Sequence, residues 1–447
     1  MFSDVYGPWT IFTDLGLIFG LLLVGKLIRV KIKVVQKLFI PPSLIAGILG
    51  LAFGPNGFDI LPFSGQLGTY SAILIALVFG SLPLSSPKFS FREVGGRVGS
   101  IWAYAQLGML IQWSVLGFFG LFVIKLIWPH INSAFGIMVP TGFYGGHGTA
   151  AAIGSAFESL GWDEARSLGM TTATVGVIIG IVGGLFLVKR AAIRKDTAFI
   201  QDFSELPDEL RTGLVPREKR ESAGMSTTSS ISIESLAFHL AMVFLIALLG
   251  YMLSQWVKTF APKLELPVFS CSFIVGLILK KVFDRLNVTE YICPVQTSRL
   301  GSTFTDLLVA FGVASIKLAV VVKYAVPLLL AISFGALVAW MTAFFLGRRI
   351  LPTYWFERSI FAWGWWTGTM AIGIALLRIV DPKMESKALD DYAIAYLPIA
   401  PVEILIITFA PVMFVNGLGF WFLSAIIVAA LLVFLLARKM SWLHKAH

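Results

Sequence analysis

Charge is scarce in this chain. Asp, Glu, Lys and Arg together make up 13% of its 447 residues, about half the share of a soluble domain. That deficit excludes an ordinary water-soluble fold. Cysteine is scarcer still: Cys271 and Cys293 are the two present, which leaves no disulfide framework and no CxxC metal spacing. The five histidines form no HExxH, and His130, His239, His444 and His447 show no ligand spacing with acids. Neither an intramembrane metalloenzyme nor any other enzyme is indicated. The amino terminus, Met1 to Tyr6, lacks the basic stretch of a cleavable signal, so the first apolar segment is expected to stay in place.

What the chain has is apolar length: 57% of it is hydrophobic and its mean hydropathy is +0.84. Crossing a bilayer takes about 20 apolar residues. Spans are expected near 9–25, 40–54, 67–84, 101–125, 168–188, 236–257, 266–280, 301–322, 325–346, 392–413 and 419–437, with 40–54 short. Two shorter glycine-rich stretches, 136–157 and 361–377, fall between them. The net charge of +10 would suit nucleic acid, but its placement argues against that partner. Put the amino terminus outside, let each span change sides, and let both glycine-rich stretches return to the face they left. All but six of the 35 Lys and Arg residues then fall on cytoplasmic loops; the exceptions are Lys125, Arg166, Lys258, Lys263, Lys317 and Lys323. This is the positive-inside bias, and it would collapse if either stretch crossed completely.

A polar linker, 191–235, divides the chain into two halves whose signals match in order. Pro42-Ser-Leu-Ile-Ala-Gly resembles the segment from Pro267; Leu67-Gly and Phe79-Gly80 resemble Leu300-Gly and Phe311-Gly312; Gly148-Thr149 resembles Gly368-Thr369. Five spans precede the linker, so the second half starts on the opposite face. The expected fold is an all-α polytopic membrane protein of two inverted repeats, 1–190 and 236–415. Each repeat has about five transmembrane helices and a re-entrant hairpin, and 416–447 adds a further C-terminal helix and tail.

The glycine-rich stretches carry the chemistry. The first reads Thr141-Gly-Phe-Tyr-Gly-Gly-His-Gly-Thr149, the second Thr367-Gly-Thr369. Non-helical backbone at membrane depth persists only where protein or a watery cavity satisfies it, and a matched pair of such breaks points to a solute site. A hairpin turning at Gly145, Gly146, His147 and Gly148 would start a half-helix at or near Thr149. Thr367, Gly368 and Thr369 would do the same in the second half, with threonine as N-cap. Two helix N-termini meeting at the midplane form an anion site, which a carboxylate suits. Carbonyls at the breaks, with the Thr149 and Thr369 hydroxyls, offer oxygen ligands to sodium. His147 reads equally as proton carrier, substrate donor or structural residue. Of the acids, Glu403 lies mid-span after Pro398 and Pro401, which would break or kink that helix, and is a candidate for ion or substrate contact. Asp306 is another, or simply reaches the inner interface or pairs with Arg299. Asp14 is expected at the interface, and Trp363, Trp365 and Trp366 form either an interfacial belt, the reading preferred, or a hydrophobic wall of the site. Arg378 either meets substrate at the inner mouth or answers the helix dipole and Asp381.

Gly145-Gly-His-Gly-Thr149 and Thr367-Gly-Thr369, followed by Ala375-Leu-Leu-Arg-Ile-Val-Asp-Pro382, resemble the sodium/glutamate symporter family of bacteria, itself distantly like the sodium-coupled 2-hydroxycarboxylate transporters. The second stretch departs from a Gly-Gly-x-Gly vertex, since Trp365 and Trp366 stand there. The resemblance implies sodium-driven import of L-glutamate across the bacterial inner membrane by a homodimer, with sodium as coupling ion and no other cofactor. It places the substrate on Gly145 to Thr149 and Thr367 to Thr369, with membrane lipid around the protein. Another carboxylate, a proton in place of sodium, or a passive anion channel are the competing readings.

Overall fold

A chain this apolar has few ways to satisfy its own backbone, and in lipid the helix is the local solution. The computed structural model describes residues 6–85, 98–199, 212–220, 222–229, 231–260, 266–382 and 384–443, and these form helices and connecting turns with no strand among them. The loop cations Lys88, Arg92, Arg97, Lys263, Lys383 and Lys445, His444 and His447, and linker residues 200–211, 221 and 230 lie outside the described residues.

The first half contributes α1 (Pro8–Lys31), α2 (Pro42–Phe53), α3 (Leu67–Ser85), α4 (Gly99–Phe118), the short α5 (Met138–Phe143), α6 (Gly146–Ser159) and α7 (Ala165–Arg194). After the linker come α8 (Ser235–Phe260), α9 (Val268–Arg285), α10 (Pro294–Ala314), α11 (Ala325–Met341), α12 (Trp355–Thr367), α13 (Met370–Val380), α14 (Ala388–Val415) and α15 (Gly419–Lys439). Among the described residues, eight helices are long and apolar enough to cross a membrane. The remaining expected spans form α2, α9 and α10, which are shorter or more polar. The span expected at 301–322 is displaced: α10 starts at Pro294, where a missing N–H does no harm in the first turn, and ends at Ala314.

Helices at matching places in the two halves of the sequence share local detail. α2 and α9 both follow a proline N-cap in extended backbone, Pro41 (φ −63°, ψ 141°) and Pro267 (φ −61°, ψ 142°). α4 and α11 both run on through a π-helical turn, Phe119–Ile124 and Thr342–Leu346. Neither glycine-rich stretch is one continuous helix: each is a broken pair, α5 with α6 and α12 with α13.

The chain groups into two compact units, and each unit draws on both halves. One holds most of α1 with α2, α3, α8, α9 and α10. Its packing is reciprocal: α2 lies against α10, where a Cβ on Gly47 would come within 2.6 Å of Val313 Cβ, and α9 lies against α3, where a Cβ on Gly276 would come within 2.9 Å of Pro83 Cγ. Asp14 is not interfacial; it is fully buried here. Its carboxylate accepts hydrogen bonds from the Ser64 amide (2.9 Å), the Ser64 hydroxyl (2.5 Å) and the Tyr70 hydroxyl (2.9 Å), which is what a buried charge requires. His239 is likewise held structurally, its Nε2 accepting the Cys293 amide at 2.7 Å.

The other unit holds α4 to α7 and α11 to α15. Its spine is α7, whose glycines receive both broken pairs. Gly169 lies against Ala150 of α6, with 3.4 Å between a Cβ there and Ala150 Cβ. On the opposite pair, a Cβ on Gly180 would come within 2.8 Å of Thr367 Oγ1, and one on Gly183 within 2.8 Å of Trp363 Cζ2. Small residues at such spacing let helices approach closely where no hydrophobic drive separates protein from lipid.

Candidate functional site

The first break is set by backbone conformation. Gly146 takes φ +61°, a left-handed conformation that costs other residues energy, and the helix is interrupted there. α6 therefore begins at Gly146 with Gly145 as N-cap, a turn earlier than Thr149, the residue expected to start it. Thr149 instead folds back over the turn, so close to Gly145 that any Cβ there would collide with its side chain. Ala150 to Gly154 pack as a small-residue face: a Cβ on Gly154 would come within 2.6 Å of Arg166 Cα. Arg166 in turn pairs with Glu158 of α6.

The second break depends on a cap. Thr369 is extended (φ −144°, ψ 158°), and its hydroxyl accepts the Ile372 amide at 3.4 Å, the N-cap geometry that the sequence suggests. Before it, the Thr367 hydroxyl donates to the Trp363 carbonyl at 2.7 Å, closing the last turn of α12.

The two breaks meet. A Cβ on Gly146 would lie 2.9 Å from the Gly368 carbonyl oxygen and 3.7 Å from Thr369 Cγ2. The N-termini of α6 and α13 thus come together, and the first-turn amides of Gly146, His147 and Gly148, and of Met370 and Ala371, have no intrahelical acceptor. Aligned peptide dipoles add positive potential at both ends.

His147 is buried, 3% exposed, and its one ring hydrogen bond favours one tautomer. Its Nε2 lies 3.1 Å from Thr174 Oγ1, and that hydroxyl already donates to the Met170 carbonyl at 2.8 Å. A hydroxyl has one proton, so Nε2–H donates to Thr174. The lone pair then sits on Nδ1, which is buried with no hydrogen-bond partner among the described residues.

The tryptophans do not form an interfacial belt. Trp363, Trp365 and Trp366 are all buried in this unit, because the helix that carries them packs on every side. The Trp363 indole donates to the Gly180 carbonyl at 3.0 Å. Trp366 fills the space left by Gly108 of α4, and its ring lies 5.0 Å from that of Tyr104. A run of rings joins the first break to Glu403: Tyr144 to Trp365 at 5.5 Å, then Trp365 to Tyr396 at 5.3 Å. The Tyr396 hydroxyl donates to Glu403 Oε2 at 2.8 Å. α14 stays continuous through Pro398, Pro401 and Pro411, so the expected break does not occur. The carbonyls of Ile394 and Leu397, four residues before Pro398 and Pro401, nevertheless have no helical donor.

Gly145 to Thr149, Thr367 to Thr369 and Glu403 thus share one unit. Arg378 belongs to it too, in the last turn of α13, with Nε buried and unpartnered among the described residues. Asp381, its suggested partner, accepts instead from the Glu385 and Ser386 amides, both at 2.9 Å. Asp306 is on α10, in the other unit.

Sequence reasoning passed over Tyr144, Thr174, Tyr396 and Gln112. Gln112 lies one turn beyond Gly108 on α4, its carboxamide buried with no hydrogen-bond partner among the described residues. A carboxamide inside an apolar span was a legible signal. The Thr174 partnership was not, since only the packing of α7 on α6 brings it to His147.

The family described as sodium/glutamate symporter has a model that matches residues 10–355. The match includes the first broken pair and ends before the second break. No curated protein matches the chain.

Proposed function

The chain belongs to the sodium/glutamate symporter family, and we propose that it imports L-glutamate across the bacterial inner membrane, driven by sodium, through alternating access to the site where the two breaks meet. The observation that carries this reading is the close packing of Gly146 on Gly368, where a Cβ built on Gly146 would lie 2.9 Å from the Gly368 carbonyl oxygen. That approach brings two helix N-termini together, and such termini bind a carboxylate without a buried cation. His147 Nδ1, as an unpartnered acceptor, suits the substrate ammonium. The hydroxyls of Thr149 and Thr369, with the carboxylate of Glu403 and the carbonyls released by Pro398 and Pro401, suit a sodium ion. Arg378 is available to a second carboxylate. Sodium and substrate would complete one another's coordination, so each raises the affinity for the other.

The reciprocal packing of α2 on α10 and α9 on α3, and the π-helical turns shared by α4 and α11, support a duplicated, inverted arrangement with each broken pair re-entrant. The charge bias supports an outside amino terminus with linker and carboxyl terminus in the cytoplasm. The resemblance adds a homodimer with one path per protomer. A second reading has a specific basis: Glu403 is buried, 8% exposed, with the Tyr396 hydroxyl as its partner, an arrangement that also suits a coupling proton.

Thermal unfolding of the purified protein with a panel of amino and dicarboxylic acids, each with and without sodium, tests this reading. L-glutamate should raise the midpoint in sodium and far less in potassium. A shift that ignores sodium and follows pH would favour the proton, and a shift with some other acid alone would replace the substrate.

A further inference from the structure

Away from the breaks, the same unit has a cavity of about 300 Å³ where α7, the continuation of α11 and the start of α12 come together. Arg190 and Arg194 of α7 line it on one side and Arg348 on the other, with Trp340, Phe345 and Trp355 between. Arg348 is held in place, stacked 4.4 Å from the Trp355 ring and paired with Asp196 at 3.4 Å. Arg190 and Arg194 have no acidic partner among the described residues, so of the side chains lining the cavity three are cationic and one, Asp196, is anionic.

Phe345 also lines a second cavity, an apolar groove of about 460 Å³. The groove runs along α11 past Met341 and Leu337 to Phe334, with Ile111 and Val115 of α4 as its other wall. Phe345, Met341 and Leu337 are exposed at 60%, 48% and 49%, as a lipid-facing wall would be. From Phe345 to Phe334 the helix rises about 16 Å at roughly 1.5 Å per residue. One leaflet's share of hydrocarbon is about 15 Å. The arginines therefore lie about one leaflet's thickness along the helix from the far end of the groove, which matches the span from a headgroup phosphate to the end of its acyl chain.

We propose that this paired cavity and groove binds one anionic phospholipid, its phosphate among Arg190, Arg194 and Arg348 and one acyl chain along Phe345, Met341, Leu337 and Phe334. Guanidinium groups suit phosphate oxygens through their paired N–H donors. Basic pockets between membrane helices hold anionic headgroups by this chemistry. Neither a free anion nor a neutral lipid accounts for both halves: the anion leaves the groove empty, and the neutral lipid leaves the cavity charge unanswered.

The test uses delipidated full-length protein in neutral detergent, titrated with phosphatidylglycerol, phosphatidylcholine or inorganic phosphate and read by native mass spectrometry and thermal unfolding. One phosphatidylglycerol should be retained per chain, at an apparent affinity at least tenfold above phosphatidylcholine. Arg190→Gln with Arg194→Gln should weaken it by roughly 25-fold, at about fivefold per arginine, while unfolding in phosphatidylcholine stays at the wild-type midpoint. Phe345→Ala, which keeps every arginine, should weaken phosphatidylglycerol several-fold and leave phosphate unaffected. Equal retention of both lipids, equal stabilisation by phosphate alone, or undiminished phosphatidylglycerol in both variants would overturn the proposal.

Discussion

Gly146 and Gly368 sit so close that a methyl group on the first would lie 2.9 Å from the carbonyl oxygen of the second. Gly146 also needs its left-handed φ of +61°. Gly146→Ala therefore meets two obstacles, a backbone penalty of about 1–2 kcal/mol and a collision at the meeting point. Uptake should be lost while the protein still inserts and remains monodisperse. Wild-type uptake by this variant would mean that the break can relax without consequence.

Thr369 has two roles that substitution can separate. Thr369→Val removes the cap and should cost about 1 kcal/mol of stability, with a much larger loss of sodium-dependent uptake. Thr369→Ser keeps the hydroxyl and should retain most of both. If valine lowers stability alone, the threonine is only a cap.

The His147 tautomer rests on Thr174. Thr174→Val removes the acceptor at Nε2 and should raise the apparent KM for substrate by about tenfold, the scale of one lost hydrogen bond of about 1–1.5 kcal/mol. kcat should change little. Combined with His147→Ala the two effects should be far from additive, since both act on one group. Additive losses would separate the two residues.

Outside the spans, Glu164 accepts a hydrogen bond from Lys323 at 3.0 Å. Burial pushes the Glu164 carboxyl upward, but the hydrogen bond and charge of Lys323 outweigh it and hold the group below its ordinary range. A carboxyl lowered by folding stabilises the folded state at pH above its unfolded value, and that contribution fades as pH falls through the folded one. Glu164→Gln should thus lower the unfolding midpoint slightly at pH 7 and leave it unchanged well below the carboxylate range. A difference that grows on acidification would reverse the assignment.

How far the sequence reveals this site differs from residue to residue. The two interruptions were legible because glycine clusters are poor material for a continuous lipid-facing helix, and the Thr369 cap because its side chain acts locally. Gly145, and not Thr149, caps α6 because the positive φ at Gly146 places the break a turn earlier, and nothing local distinguishes those glycines. The burial of Trp366 and Trp363 depends on Gly108 and Gly183, on helices remote in sequence. Asp14 reads as interfacial until Ser64 and Tyr70 close over it. Pro398 and Pro401 do not break α14, since each removes one backbone hydrogen bond and leaves the rest of the ladder in place. The glycines of α7 were legible as small residues at helical spacing; that they receive both broken pairs was not.

The most direct measurement is the accumulation of labelled L-glutamate in proteoliposomes carrying the purified chain, with an inward sodium gradient and no other driving force. Internal glutamate should rise above the external concentration and fall back when the sodium gradient is collapsed. Equilibration without accumulation, or accumulation that persists with potassium in place of sodium, would contradict the account.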